Sequence, residues 1–408
     1  MDLVPRFLGV YRRAYTGLPR RAWILFGVNL VNASGTMVLF FLSLYFTRRL
    51  GFSASEAGRA LSLYGAGSLA GAFLGGWLSD RIGSTAVQKL SLALSGVLLV
   101  AMGQVRAAAV LLPALFAFGA VSGSLYPANA ASMARVCPPE LHVKGFALNR
   151  LAGNLGVTVG PALGGLLALR DYRLLFWVDG LTCLAAAGLF VLLWPASESR
   201  LRRDEVRTAR TGGVRSPWRD APFLGLLAVT FAFSLIFVQL LSTFPLYMRG
   251  VYGLAEDAIG RLLAVNTVLI VLFEMALMEV VRRFPLTRMI NVSFILLGAG
   301  FGLIPLGRGF GYAALTVAVW TFGEMLSMPL FTSLISGRAD PESRGRYLGL
   351  FSFAFSLGFI VGPVLGTEVY ERWGGEALWF GCGAAGFVLA GSFSLLKRYL
   401  GDAPPAES

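Results

Sequence analysis

The chain is poor in the side chains that most often hold metals, carry redox chemistry or grip nucleotide phosphates. In 408 residues there is one histidine, His142, and there are three cysteines, Cys137, Cys183 and Cys382, far apart in sequence. That inventory leaves no zinc cluster, no redox pair and no disulfide framework to build on. None of the three lysines, Lys89, Lys144 and Lys397, follows a glycine, so the Gly-Lys pair of a phosphate-binding loop is missing. No cofactor, no metal and no enzymatic chemistry are expected. Charged residues make up only 14% of the chain, against about 25% in an average soluble domain. A soluble protein is thereby excluded.

Apolar sequence dominates instead. Hydrophobic residues are 56% of the chain, and the mean hydropathy is +0.69. The 50 glycines follow no three-residue period, which rules out a collagen-like reading and leaves helix packing as their expected role. Crossing a bilayer core of about 30 Å takes roughly 20 helical residues. Runs of that kind recur twelve times, over 22–46, 54–78, 87–105, 108–131, 143–168, 173–194, 222–248, 256–281, 287–306, 311–334, 345–369 and 376–396. The first is too long for a signal-peptide core and carries Asn29 and Asn32, so it reads as a retained helix.

The net charge of +13 is distributed as the positive-inside rule expects of a membrane protein, not as nucleic-acid binding would require. With the N-terminus in the cytoplasm, 24 basic residues fall on the inner side, eight on the outer side, and Arg59, Arg150 and Arg261 within spans. Both termini are therefore expected in the cytoplasm. Residues 196–220, rich in arginine and containing Gly212, Gly213 and Pro217, read as a solvated linker that halves the chain. Residues 1–21 mix Leu3, Phe7, Leu8 and Tyr11 with Arg6, Arg12 and Arg13, the pattern of a helix lying on the membrane surface.

The halves repeat. At an offset of 202, Leu44-Tyr45 falls on Leu246-Tyr247, Gly51 on Gly253 and Gly58-Arg59 on Gly260-Arg261. Pro127 then falls on Pro329, Gly160-Pro161 on Gly362-Pro363 and Gly164 on Gly366, with no gap needed. Six spans separate the repeats, so both halves share one orientation and are related by an axis along the membrane normal. The expected fold is an all-α membrane protein of twelve transmembrane helices in two pseudo-symmetric six-helix bundles, 1–195 and 221–408. Two such bundles can rock about a shared site and expose it to each side in turn.

Two motifs carry a family resemblance. Gly76-Trp77-Leu78-Ser79-Asp80-Arg81-Ile82-Gly83 follows the second span, and Gly156-Val157-Thr158-Val159-Gly160-Pro161-Ala162-Leu163-Gly164-Gly165 lies in the fifth. On these the chain resembles the major facilitator superfamily, and is most similar to its drug:proton antiporter branch. The first motif departs from the pattern at Ser84 and Thr85, where basic residues usually follow, and the fourth span lacks the arginine of many drug antiporters. The resemblance implies a secondary transporter exporting small amphipathic compounds against protons. It also implies a gating role for Gly76, Asp80, Arg81 and Gly83, with Asp80 holding the halves together on the cytoplasmic side. Gly156, Gly160 and Gly164 lie four apart on one helix face and admit a neighbouring backbone, while Pro161 permits a bend. Gly362 and Pro363 repeat that pattern. A sugar or metabolite facilitator or proton symporter, and a receptor or scaffold on a degenerate transporter fold, stay open as alternatives.

A charge at the bilayer centre costs about 2.5–3.5 kcal/mol on insertion scales, so ionisable residues within spans need a reason. Glu324 in the tenth span, about 15 Å from its inner end, is the first candidate proton carrier. Trp320, four residues earlier, is placed to stack a flat or cationic substrate. Glu274 and Arg150, both about 10 Å deep, are expected to pair across the interface of the halves and to switch with protonation. Asn29, Asn32, Tyr126, Asn154, Gln239 and Asn266 are candidate substrate contacts, since the resemblance places several of their helices around the cavity. Asp179, in the sixth span, is assigned a structural role. The expected partners are a small-molecule substrate, protons and membrane lipid, with no nucleic acid. The expected state is a monomer in the cytoplasmic membrane.

Overall fold

The computed structural model describes residues 16–194, 216–281, 283–340 and 343–400. The surface helix expected before residue 16, most of the linker and the C-terminal tail lie outside them. Among the described residues the chain is helical, with no strand. The elements are α1 (Arg20–Gly35), α2 (Val38–Leu44), α3 (Ala54–Ile82), α4 (Ser84–Met102), α5 (Ala108–Gly123), α6 (Leu125–Val136), α7 (His142–Arg170) and α8 (Arg173–Leu193). After the linker come α9 (Ala221–Phe237), α10 (Gln239–Ser242), α11 (Phe244–Gly250), α12 (Glu256–Val281), α13 (Leu286–Leu303), α14 (Phe310–Arg338) and α15 (Arg344–Leu400). Ten stretches of the described chain are long and apolar enough to cross a membrane. The last of them, α15, is broken at Gly374, whose φ of 86° only glycine adopts easily. The 29-residue α3 falls outside the ten.

The chain resolves into two compact units. The first comprises Met1–Val38, Gly67–Pro161 and Arg170–Leu201, the second Leu39–Ala66, Ala162–Leu169 and Arg202–Ser408. Three helical spans thus pass from one unit to the other, and each does so at a distinctive residue. The first passes at the break between α1 and α2, α3 at Gly65–Gly67, and α7 at Pro161, an interior proline that removes a backbone hydrogen bond.

Within the first unit, glycines set the helix spacing. Gly67, Gly71 and Gly75 of α3 lie against the backbone of Phe116 and Ala120 in α5 and of Ser124 just after it, so a Cβ at any of them would overlap main chain. Gly96 of α4 and Gly180 of α8 meet in the same manner. Gln88 of α4 donates to Ser132 Oγ at 2.6 Å and to the Ala128 carbonyl at 3.2 Å, tying α4 to α6. In the second unit Gly298 and Gly302 of α13 face Gly383 and Gly386 of α15, beside a core of Phe233, Phe294, Phe331 and Phe393. Gly96 and Gly298 are 202 residues apart.

The repeat is visible in local geometry as well. Gly51 and Gly253 both hold positive φ, 75° and 68°. The turns they close are bonded alike, Phe52 N to the Phe46 carbonyl and Leu254 N to the Met248 carbonyl, each at 3.0 Å. Both sets of positions obey the offset of 202.

Candidate functional site

Glu324 stands at the midpoint of the 29-residue α14, about 21 Å along the axis from either end at 1.5 Å per residue. It is half-buried. Asn266 of α12 donates its side-chain amide to Glu324 Oε2 at 2.8 Å and to Thr321 Oγ1 at 3.0 Å. Thr321 spends its own proton on the Val317 carbonyl at 2.6 Å. A carboxyl group in mid-helix is thereby joined to the neighbouring helix through a neutral donor. Such a bond is compatible with either protonation state of the acid, which is what a proton carrier requires. Sequence reading singled out Glu324 and Asn266 separately, and the fold brings them together.

Trp320 is placed differently from its expected stacking role. It is 1% exposed, stands 5.9 Å from Phe301 between ring centroids, and lies against Gly300 of α13. Its ring is packing between α13 and α14 in this state. Gln239 is likewise buried and engaged. It donates to the carbonyls of Gly362 and Leu235, each at 2.9 Å, and accepts from Ser242 Oγ and Thr243 Oγ1 at 2.9 and 3.0 Å. These bonds stitch the break between α9 and α10 to α15.

The remaining amides lie in the first unit. Asn29 of α1 donates to the carbonyl and the side chain of Asn149 in α7, at 3.0 and 3.1 Å. Asn32 accepts the Cys183 thiol at 3.4 Å, and the Asn154 carbonyl accepts from Thr158 at 2.8 Å. Tyr126 is 80% exposed. Arg150 belongs to the first unit and is exposed, whereas Glu274 belongs to the second and is half-buried.

The glycine motif of the fifth span meets the first span at its break. A Cβ at Gly156 would overlap Ala33, and one at Gly160 would press on the Thr36 carbonyl. Gly362, its counterpart, touches Val238 and Leu235, and Gly366 touches Gln239. In the other motif, Gly83 has φ of 92° and opens α4, a turn that a side chain would strain. A Cβ at Gly76 would meet open space. Arg81 lies over the Trp77 ring with its guanidinium carbon 3.9 Å from the centroid, and Asp80 is exposed.

Two polar clusters lie outside the functional residues expected from sequence. At the start of α3, Ser55 N donates to Glu371 Oε2 at 2.7 Å and Ser55 Oγ to Glu368 Oε2 at 2.9 Å. Gly58 and Gly65 of α3 lie against Pro363–Thr367 and Phe359 of α15. Gly165 of α7 lies against the backbone of Glu256 and Asp257 at the start of α12, the repeat-related arrangement. All of these residues belong to the second unit. The other cluster centres on Asp220, which caps α9 through Phe223 N at 3.2 Å and accepts from Arg338 at 2.6 and 2.8 Å and from Tyr347 at 3.1 Å. Burial would raise the Asp220 carboxyl, but the Arg338 and Phe223 bonds outweigh it and hold the group below its ordinary range. Its signal was present in the sequence, since Asp220-Ala221-Pro222 is a helix-start pattern.

These observations describe a helical protein with broken apolar spans and a mid-helix acid, and the comparisons give its relationship. A family model described as Major Facilitator Superfamily matches residues 24–363 and 256–408. The chain belongs to the Major Facilitator Superfamily. It is thus an integral membrane transporter and not an enzyme. Among curated superfamily relatives, a "Na(+), Li(+), K(+)/H(+) antiporter" of Planococcus maritimus is 25% identical, covering 92% of this chain and 93% of its own. The multidrug resistance protein MdtH of Aeromonas hydrophila is also 25% identical, over 86% and 87% of the two chains. A solved POT family transporter superposes with a TM-score of 0.80 at 16% identity, covering 95% of this chain and 98% of its own, which shows the superfamily fold.

Proposed function

We propose that this superfamily member is a proton-coupled exporter of small amphipathic compounds, working by alternating access. In this reading it has twelve spans, counting α3 and both limbs of α15, in two six-helix halves with cytoplasmic termini. The observation that carries proton coupling is Glu324, a carboxyl group at the middle of α14 bonded to Asn266 of α12. A charged acid at that depth is costly, so an ionisable group kept there points to function. Relatives named as a cation/proton antiporter and as multidrug resistance proteins support export. Arg150 and Glu274 form a second proposed coupling pair, made and broken as the halves rock. Asn29, Asn32, Asn154 and Tyr126 are proposed substrate contacts, alongside Asn266. The Ser55, Glu368 and Glu371 contacts close the outer end, and Asp80 closes the inner end in the opposite state.

The test uses purified protein in proteoliposomes with an internal pH dye and ethidium as the probe. Ethidium moving down an imposed gradient is expected to drive proton movement in the opposite direction, and Glu324→Gln is expected to abolish it. Proton movement in the same direction as ethidium, or an unchanged rate in Glu324→Gln, would overturn the reading.

A further inference from the structure

The break in the first span is held by a carboxyl group from another helix. Asp179 of α8 is 5% exposed, and its Oδ2 accepts the backbone N–H of Met37 and of Val38, each at 3.3 Å. These are the amides at the start of α2, left without helical partners by the interruption at Thr36. Gly35 lets α8 come this close, because a Cβ there would overlap Thr182 and press on the Asp179 backbone. On its other side the break meets Gly160 of α7. The boundary between the two units falls directly after Val38, the second of the capped amides.

No cation neutralises this carboxyl group among the described residues. The thiol of Cys183, 3.9 Å from Oδ1 and also 3.4 Å from Asn32 Oδ1, is its remaining polar neighbour. The charges on the helices around it are remote. Those of α1 are Arg20 and Arg21, at its start. The lysine of α4, Lys89, stands over Phe190, and Arg173 opens α8. On α7, Arg150 and Arg170 lie ten residues either side of Gly160, about 15 Å along the helix. What stabilises the charged form is the start of α2, where two N–H groups and the helix dipole favour negative charge. A neutral acid gives up that attraction and keeps only a weaker carbonyl acceptor.

We propose that Asp179 is a positioning residue whose proton occupancy sets the break between α1 and α2: charged, it holds the bend, and neutral, it releases the outer limb of the first span. This rests on the proton-coupled reading above and adds to it a second titrating position, in the first unit.

The experiment is amide hydrogen exchange of the full chain in nanodiscs, from about pH 8 to about pH 5, corrected for the intrinsic exchange rate. In the unaltered protein, protection of the Met37–Phe41 amides is expected to fall roughly tenfold across that range. Asp179→Asn is expected to show no pH dependence, and Asp179→Glu to restore it with a displaced midpoint. A flat profile in the unaltered protein, or its full profile retained in Asp179→Asn, would overturn the proposal. If the Asn variant does not insert, the Glu variant decides, because an undisplaced midpoint counts against Asp179. Ethidium-driven proton flux on the same preparation separates the two readings. Flux with a flat exchange profile sinks the hinge alone, and no flux in the unaltered protein sinks the coupling.

Discussion

Two helix breaks 202 residues apart, at Thr36 in the first span and at Val238 in the seventh, are fastened in different ways. At Val238 the fastening is neutral and comes from the break itself: Gln239 bonds the Gly362 carbonyl of α15 and accepts from Ser242 and Thr243. At Thr36 the fastening is a carboxyl group brought from α8. Position 381, the counterpart of Asp179, is glycine. The ends of the spans differ in the same sense. Asp220 fixes the start of α9 to Arg338 and Tyr347, whereas α1 begins after Pro19 with no side-chain cap. The two halves share one pattern of breaks, but one break is fastened by neutral bonds and the other by a carboxyl group, the bond that the proposal above lets a proton weaken.

The largest expected effect breaks the fastening at Asp220. Arg338→Leu leaves the buried Asp220 carboxylate without its ion pair, at a cost of about 3–5 kcal/mol, read as a lowered thermal unfolding midpoint in detergent. Asp220 has a depressed folded value, so its contribution is complete above the ordinary carboxylate range, near pH 4, and is lost only as pH falls further through the folded value. Between about pH 5 and 8 the start of α9 is therefore expected to show no pH dependence. Acid sensitivity of α9 in that window, by amide exchange, would remove the contrast between the halves.

Next in size is a pair of matched substitutions at the two seams. Gly160→Ala would drive a methyl group onto the Thr36 carbonyl, which is main chain, while Gly362→Ala meets chiefly a Val238 methyl group that can turn aside. Overpacking of this kind costs about 1–3 kcal/mol, and the first variant is expected at the upper end and the second at the lower. Equal losses in thermal stability would mean that the two seams are equally rigid. A smaller effect is expected of Gln239→Leu, which strips a donor from the Gly362 carbonyl. About 1–2 kcal/mol of stability should go, with the pH profile of ethidium transport unchanged.

What could be read from sequence follows from what is periodic. Apolar run length, the 202-residue offset and glycines four apart are one-dimensional patterns, and they led to the all-helical fold, the matching of Gly51 with Gly253 and the close packing at Gly156 and Gly160. Glu324 was legible because charge is rare within spans, and Asn266 because amides are. Their bond was not, since it joins residues 58 apart on different helices. Trp320 shows the limit of a helical-face argument. A residue four positions from Glu324 shares its face only approximately; here the Trp320 backbone lies close against Gly300 and the ring packs beside Phe301. Asp179 reads from sequence as a structural residue. Its consequence lies in the two amides of α2, which no spacing in the sequence connects to it.

The smallest expected effect tests which atom holds the break at Thr36. Cys183 lies between Asn32 and Asp179, and its one S–H can donate to only one of them at a time. A thiol is a weak donor and the distance to Asp179 is long, so its share in fixing the carboxyl group is small. Cys183→Ser puts a stronger hydroxyl donor at nearly the same place and is expected to change stability by about 1 kcal/mol or less. The exchange profile of Met37–Phe41 should keep its shape, because the two backbone bonds to Oδ2 are untouched. If that profile instead vanished in Cys183→Ser, the thiol would be the group that responds to pH, and the difference between the two breaks would rest on sulfur chemistry and not on the carboxylate.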